Sequence, residues 1–233
     1  MMANHTTIFD WDDTLFPSTW LAQKTAGLVG STYNNEADTC VIFRALAHLV
    51  GEIIKKAQTQ GPVAIITNSA AGWVEYSTHI WYPGLVPCLK GVEIISARTM
   101  YQNTTSNTEM WKRLAFFDYM KTQSSRDNER STPKTLVSIG DSLSERNALV
   151  DCGLHFEGVG MKSIKLIDNP TLDDLLYQIL RLQASLDNLY SSNLNQDLAI
   201  CPDCQKIQPY KPIPAATSSS CNNSKKGSSR CCC

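Results

Sequence analysis

Three acids fall within four residues near the start of the chain: Asp10, Asp12 and Asp13 in "TTIFDWDDTLF". Two carboxylates facing one pocket push their pKa values apart unless a cation neutralises them. In an extended segment Asp10 and Asp12 share one side, Trp11 points the other way, and Asp13 falls opposite the pair and shapes the turn. A further acid, Asp141, follows the apolar run "TLVSIG", where Gly140 allows close backbone approach. Glu145 lies one helical turn beyond it. Oxygen donors with no converging Cys/His set point to a hard ion, Mg2+ above all. "AIITNSAAG" ends an apolar run with Thr67, Asn68 and Ser69, where the start of a predicted helix favours an anion. Lys112, early in "TEMWKRLAFFDYM", can bring a cation to a phosphate's remaining charge. Lys90 and Lys134 also lie between Thr67 and Asp141 and are rivals for that role. Lys112 is preferred because a helix start holds its side chain in place, whereas "STPK" reads as loop. Carboxylates, a hard cation, an anion pocket and a lysine are the parts of metal-assisted phosphoryl transfer.

These residues need a scaffold that gathers them. Short apolar, β-branched runs at 6–9, 63–67, 92–96, 135–140 and 156–160 read as buried parallel strands, with 163–167 as an edge strand. Helical patterns lie between them at 38–58, 70–80, 109–122 and 142–151. A further helix follows Thr171, its N-cap, with Asp173 and Asp174 in the first turn and Leu172, Leu176, Ile179, Leu186 and Leu189 on one face. Such alternation predicts an α/β fold: a three-layer α/β/α sandwich around a mainly parallel, Rossmann-like sheet. Ligands bind beyond the carboxyl ends of the strands in such sheets, which is where Asp10, Thr67 and Asp141 fall.

With 233 residues the chain is long enough for one α/β domain with a real core. A formal net charge of -1 speaks against a general nucleic-acid-binding surface. There is no run of about 18 apolar residues that could span a membrane, and no secretory signal pattern at the N-terminus. A cytoplasmic protein without a disulfide scaffold is expected. Composition changes near residue 190: residues 1–190 read as the folded domain and 191–233 as a flexible, disordered, basic, Cys-rich tail. Cys40, Cys88 and Cys152 read as buried small apolar residues, and Trp73, Trp81 and Trp111 as core or rim packing.

The motifs resemble those of the haloacid dehalogenase-like (HAD) phosphatase superfamily over about residues 6 to 168: "DWDDTL", the Thr of "AIITN", a lone Lys, and "SIGDSLSE". The resemblance implies that Asp10 is the nucleophile that forms an aspartyl-phosphate. It makes Asp12 the general acid and then base, and gives phosphate binding to Thr67, Asn68 and Lys112. Mg2+ would be held by Asp10, the backbone carbonyl of Asp12, and Asp141. Glu145 would serve through water at the metal or by orienting Lys112; it stands where many relatives carry an Asp. The stretches 15–62 and 97–111 are too short for a large cap beyond the helices they hold, so a capless or small-cap enzyme with an open site is implied. Its substrate would be a phosphorylated protein or small molecule, with a bulky phosphoprotein favoured. Hydrolase and phosphotransferase are not separated by the sequence. The alternative is a HAD-fold binding protein of reduced activity, tethered to membranes.

That alternative comes from the end of the chain, "SKKGSSRCCC". From Cys201 onward the tail carries a net charge of +4. A basic stretch with lipids on Cys231, Cys232 or Cys233 would attach peripherally to the cytosolic face of an anionic membrane. "CPDC" at 201–204 has metal-ligand spacing but no second pair to complete a zinc site.

Overall fold

The structure, a computed structural model, describes residues 5–27, 36–126, 135–156, 158–203 and 206–212. Seven strands form one sheet: β1 (His5–Phe9), β2 (Val63–Thr67), β3 (Glu93–Ser96), β4 (Thr135–Gly140), β5 (Gly160–Lys165), β6 (Gln196–Ile200) and β7 (Ile207–Pro209). Their order is β3-β2-β1-β4-β5-β6-β7, parallel up to β6, with β7 antiparallel at the edge. The first six follow the familiar doubly wound order, and the order reverses between β1 and β4. The α/β class and the mostly parallel sheet thus agree with the sequence reading.

Each central strand feeds two cores by simple alternation. Phe9, Ile65, Val137, Ile139 and Ile164 face one cluster, and Ile8, Ala64, Ile66, Leu136 and Met161 the other. The first cluster is closed by α2 (Glu36–Gln58) and α7 (Leu172–Ser191), together with α1 (Ser18–Thr25) and α3 (Trp73–Trp81). Phe43, Leu46, Val50, Ile53 and Ala57 form the buried stripe of α2. The second cluster lies under α4 (Ala97–Tyr101), α5 (Thr108–Arg126) and α6 (Leu143–His155). Thr171 caps α7 in a reciprocal box with Asp174, as its position in the sequence predicts.

Several expectations need correction. The domain does not end at 190. Residues 196–200 pair with β5 and 207–209 with β6, so the sheet runs into the polar segment. A strand next to the sheet edge needs to bury only part of its surface, and β6 does so with Asp197, Ala199 and Ile200. The strand expected at 156–160 starts at Gly160, after a turn in which Gly158 takes φ +80. With β6 and β7 outside it, the 163–167 stretch is no edge. Cys40 is exposed and Cys88 half-buried; only Cys152 of those three is buried. Cys204 and the lipidation candidates Cys231, Cys232 and Cys233 lie outside the described residues, as does Lys134. No described helix is long and apolar enough to cross a membrane. Among the described residues, neither 15–62 nor 97–111 builds a second domain: α2 is a layer of the sandwich and α4 packs on α5.

Candidate active site

The site forms where β1 and β4 end side by side, the reversal point of the sheet. Asp10 extends the ladder, its N–H donating to the Ile139 carbonyl at 2.9 Å. The chain then turns sharply, with Trp11 O accepting from the N–H of Leu15 and Phe16. Trp11 points away into the core and donates its indole N–H to Ser77 at 3.0 Å. Asp13 takes the left-handed conformation, φ 55, and its carboxylate accepts from the backbone and hydroxyl of Thr19 in the first turn of α1. It is the turn-shaping acid that alternation predicts. Thr14 joins the ends of the two strands. Its Oγ1 accepts from Asp141 N at 2.9 Å and donates to Asp141 Oδ1 at 3.3 Å.

Asp10, Lys112 and Glu145 are all buried. Lys112 Nζ lies 2.7 Å from Asp10 Oδ1 and is ion-paired to Glu145 Oε1. Two helices deliver this pair in the same way. The buried stripe of α5 is Lys112, Ala115, Phe116, Tyr119 and Met120, and that of α6 is Glu145, Ala148, Leu149 and Cys152. Each charge heads an apolar stripe at helical spacing, so packing α5 against α6 brings the two together at the strand ends. Lys90, by contrast, is exposed. Glu145 also caps its own helix. Its Oε2 accepts from Ser142 N at 3.0 Å and Ser142 Oγ at 2.6 Å. Both its oxygens are therefore engaged by protein groups, which fits the orienting role and not that of a direct metal ligand.

Gly140 makes room for this. A Cβ there would sit 2.3 Å from Glu145 Cγ. Gly140→Ala is therefore expected to push Glu145 off Lys112, at a cost of about 1–3 kcal/mol in stability. A thermal melt and a rate assay on one preparation would check this; a variant with both unchanged would refute the packing argument.

Asp12 is half-buried and fully engaged. Its Oδ2 accepts from Thr67 Oγ1 at 2.7 Å and Ser69 Oγ at 2.8 Å. Its Oδ1 accepts from the Trp73 indole N–H at 2.7 Å and from Ser18 Oγ. Sequence reasoning missed Ser18 and Trp73 as partners and took Trp73 for packing alone. The anion pocket predicted at the start of α3 is also revised. The helix begins at Trp73 behind a left-handed Gly72, φ 85, three residues later than expected. The Ser69 N–H donates to Thr67 Oγ1 and the Ala71 N–H to Thr99 Oγ1. Asn68 donates its amide to the Thr108 carbonyl at 3.2 Å, tying the end of β2 to the start of α5. Lys165, which the sequence did not single out, donates to the Asp141 carbonyl at 2.8 Å and fixes the end of β4.

Burial drives the Asp10 carboxyl well above the ordinary range; Lys112 opposes this, while Glu145, Asp141 and Asp12 add to it. Asp141 is raised to about 6 by burial and by Glu145. Burial pulls Lys112 down, but Asp10 and Glu145 outweigh it and hold the ammonium above its usual value. Glu145 is pushed up by burial and pulled lower by Lys112, which wins. Lys112 thus pairs with Asp10 and Glu145, and its charge also reaches Asp141. Among the described residues no three acidic, His or Cys side chains converge into a complete cation cage. Mg2+ does not need one: it is commonly bound by one or two carboxylates, with waters and substrate oxygens completing its shell. Asp10 and Asp141, at the ends of adjacent strands, fit that pattern.

No protein-family model, curated protein or solved structure matches this chain.

Proposed function

We propose that the chain is a Mg2+-dependent phosphomonoester hydrolase of the HAD type, working through an aspartyl-phosphate on Asp10. One observation carries the reading: a buried carboxylate, Asp10, sits 2.7 Å from a buried lysine and beside Asp141, at the reversal point of a parallel sheet. The doubly wound strand order and the four motifs in sequence support the same reading. In the first step an Asp10 carboxylate oxygen attacks phosphorus. The bond from phosphorus to the ester oxygen breaks, and that oxygen takes its proton from Asp12. In the second step water attacks phosphorus and gives a proton to Asp12. Asp10 leaves as a carboxylate and phosphate is released. Thr67 turns its hydroxyl from Asp12 to a phosphoryl oxygen as substrate enters. Lys112, aimed by Glu145, offsets charge on the transferring group. Bound Mg2+ would draw further charge off the phosphoryl oxygens. With no cap among the described residues, the site is open to a phosphate carried on a large molecule.

The test is release of p-nitrophenol from its phosphate ester, with and without Mg2+. Asp10→Asn is expected to lower the rate by at least about a thousandfold, because the covalent route is lost. Equal rates for the two proteins would remove Asp10 as nucleophile and with it the proposed reaction.

A further inference from the structure

A cleft of about 720 Å3 opens beside Asp12, between α1 and α3. Its walls include Leu21, Ala22 and Ala26 on one side and Trp73 and Trp81 on the other. Asp12, Ser18 and Ser69 form the end nearest the proposed chemistry, and no Lys, Arg or His lines it among the described residues. A sugar phosphate, a nucleotide or a second phosphate would find little to bind there. The cleft is continuous with the site through Asp12 Oδ1, which holds the Trp73 indole N–H at 2.7 Å. The carboxylate proposed to protonate the leaving oxygen therefore also sets the angle of one indole wall. Trp73 and Trp81 meet at 6.3 Å and 58°, and Tyr76, half exposed, packs on both. An aromatic ring is the group such walls accept best, since tilted ring pairs add attraction beyond burial alone.

We propose that this cleft is the leaving-group pocket and that it takes an uncharged aromatic ring, so that the substrate is a phenolic phosphate monoester of the tyrosine-phosphate kind. The inference rests on the hydrolase reading above. It adds the class of alcohol released, which that reading leaves open.

The experiment compares kcat/KM for phenyl phosphate, hexyl phosphate, glycerol phosphate and the compact acetyl phosphate, in wild type and Ala22→Trp with Mg2+. Ala22 lies on the exposed side of α1 and touches no reacting group, so a bulky side chain there fills the cleft without disturbing the core. Beyond the intrinsic advantage of its better leaving group, phenyl phosphate is expected to be favoured by wild type over the hexyl and glycerol esters by about tenfold. Ala22→Trp is expected to erase that preference while acetyl phosphate turnover stays within about twofold. Loss on all four substrates alike, or a preference that survives the substitution, overturns the proposal. Free phosphotyrosine against a phosphotyrosine peptide then assigns the source of the ring: faster turnover of the peptide assigns it to proteins. Failure of the hydrolase reading shows differently, as no Asp10-dependent turnover of any ester. In that case the indole N–H resonance of Trp73, identified by its loss in Trp73→Phe, decides. A shift with phenyl phosphate and none with glycerol phosphate upholds the ring pocket; no shift with either overturns it.

Discussion

Lys112→Met is expected to cost about 3–5 kcal/mol in stability near pH 7 and to lower turnover by at least about a hundredfold. The stability loss follows from what the substitution leaves behind. Asp10 and Glu145 are both buried, and Lys112 is the cation paired to each. Removing it strands two carboxylates in a low-dielectric site, where each must either stay charged without a partner or take up a proton. The deficit should therefore shrink as pH falls towards about 5, because protonation relieves it. A double variant, Lys112→Met with Glu145→Gln, removes one stranded charge and should regain part of the stability. It should regain no activity, since the phosphoryl group still lacks its cation. Denaturant titrations at two pH values on the three proteins would check this. A Lys112→Met protein as stable as wild type at neutral pH would show that the buried triad does not hold the strand ends together.

The same pair shows how much of the site could be read beforehand. Asp10, Asp12, Thr67, Lys112, Asp141 and Glu145 stand out in the sequence by residue type and by position after strands or at helix starts, and the fold brings all six to the carboxyl end of the sheet. The choice of Lys112 over Lys90 had a stronger warrant than a helix start: it heads an apolar stripe, as Glu145 does, and a charge in that place is buried with a partner. What the sequence hid is the second layer. Ser18 and Trp73 reach Asp12 only because α1 and α3 pack on the same side of the sheet, a tertiary fact without a local pattern. The start of α3 was misplaced because "SAAG" carries helix formers, while Gly72 takes a left-handed conformation that delays the helix. β6 and β7 escaped for the opposite reason. They are short, interrupted by Gln, Asp and Pro in a polar stretch, and only pairing, of β6 to β5 and of β7 to β6, makes them strands.

The second large effect concerns Mg2+ and pH together. Asp10 and Asp141 have folded-state pKa values raised above the unfolded ones, Asp141 to about 6 from 3.8. A raised carboxyl means that the native state binds more protons than the unfolded chain between the two values. Its contribution is fully present below the unfolded pKa and is lost as pH rises through the folded one. For Asp141 alone the window runs from about pH 4 to about pH 6 and is worth about 3 kcal/mol. Without divalent ions the protein should therefore lose stability as pH rises across that interval; on the acid side the gain ends where Glu145, whose pKa is lowered, begins to protonate. Mg2+ should reverse the loss near pH 7, because it binds the ionised carboxylates and not the protonated ones. At about a hundred times its dissociation constant it would add about 2.7 kcal/mol, or roughly 5–10 °C in Tm for a domain of this size. The gain should fade near pH 5, where protons compete for the same oxygens. Asp141→Asn removes both the repulsion and the ligand, so it should melt higher than wild type without Mg2+ at neutral pH and gain little when the ion is added. Calorimetry in EDTA and in Mg2+ at both pH values separates these cases. An Mg2+ shift of equal size in Asp141→Asn would place the ion elsewhere. A Tm flat between pH 4 and 6 in EDTA would mean that the crowded acids carry no such penalty. If both effects appear together, the repulsion among the acids of "DWDDT" and "GDS" is the same free energy that binds the ion.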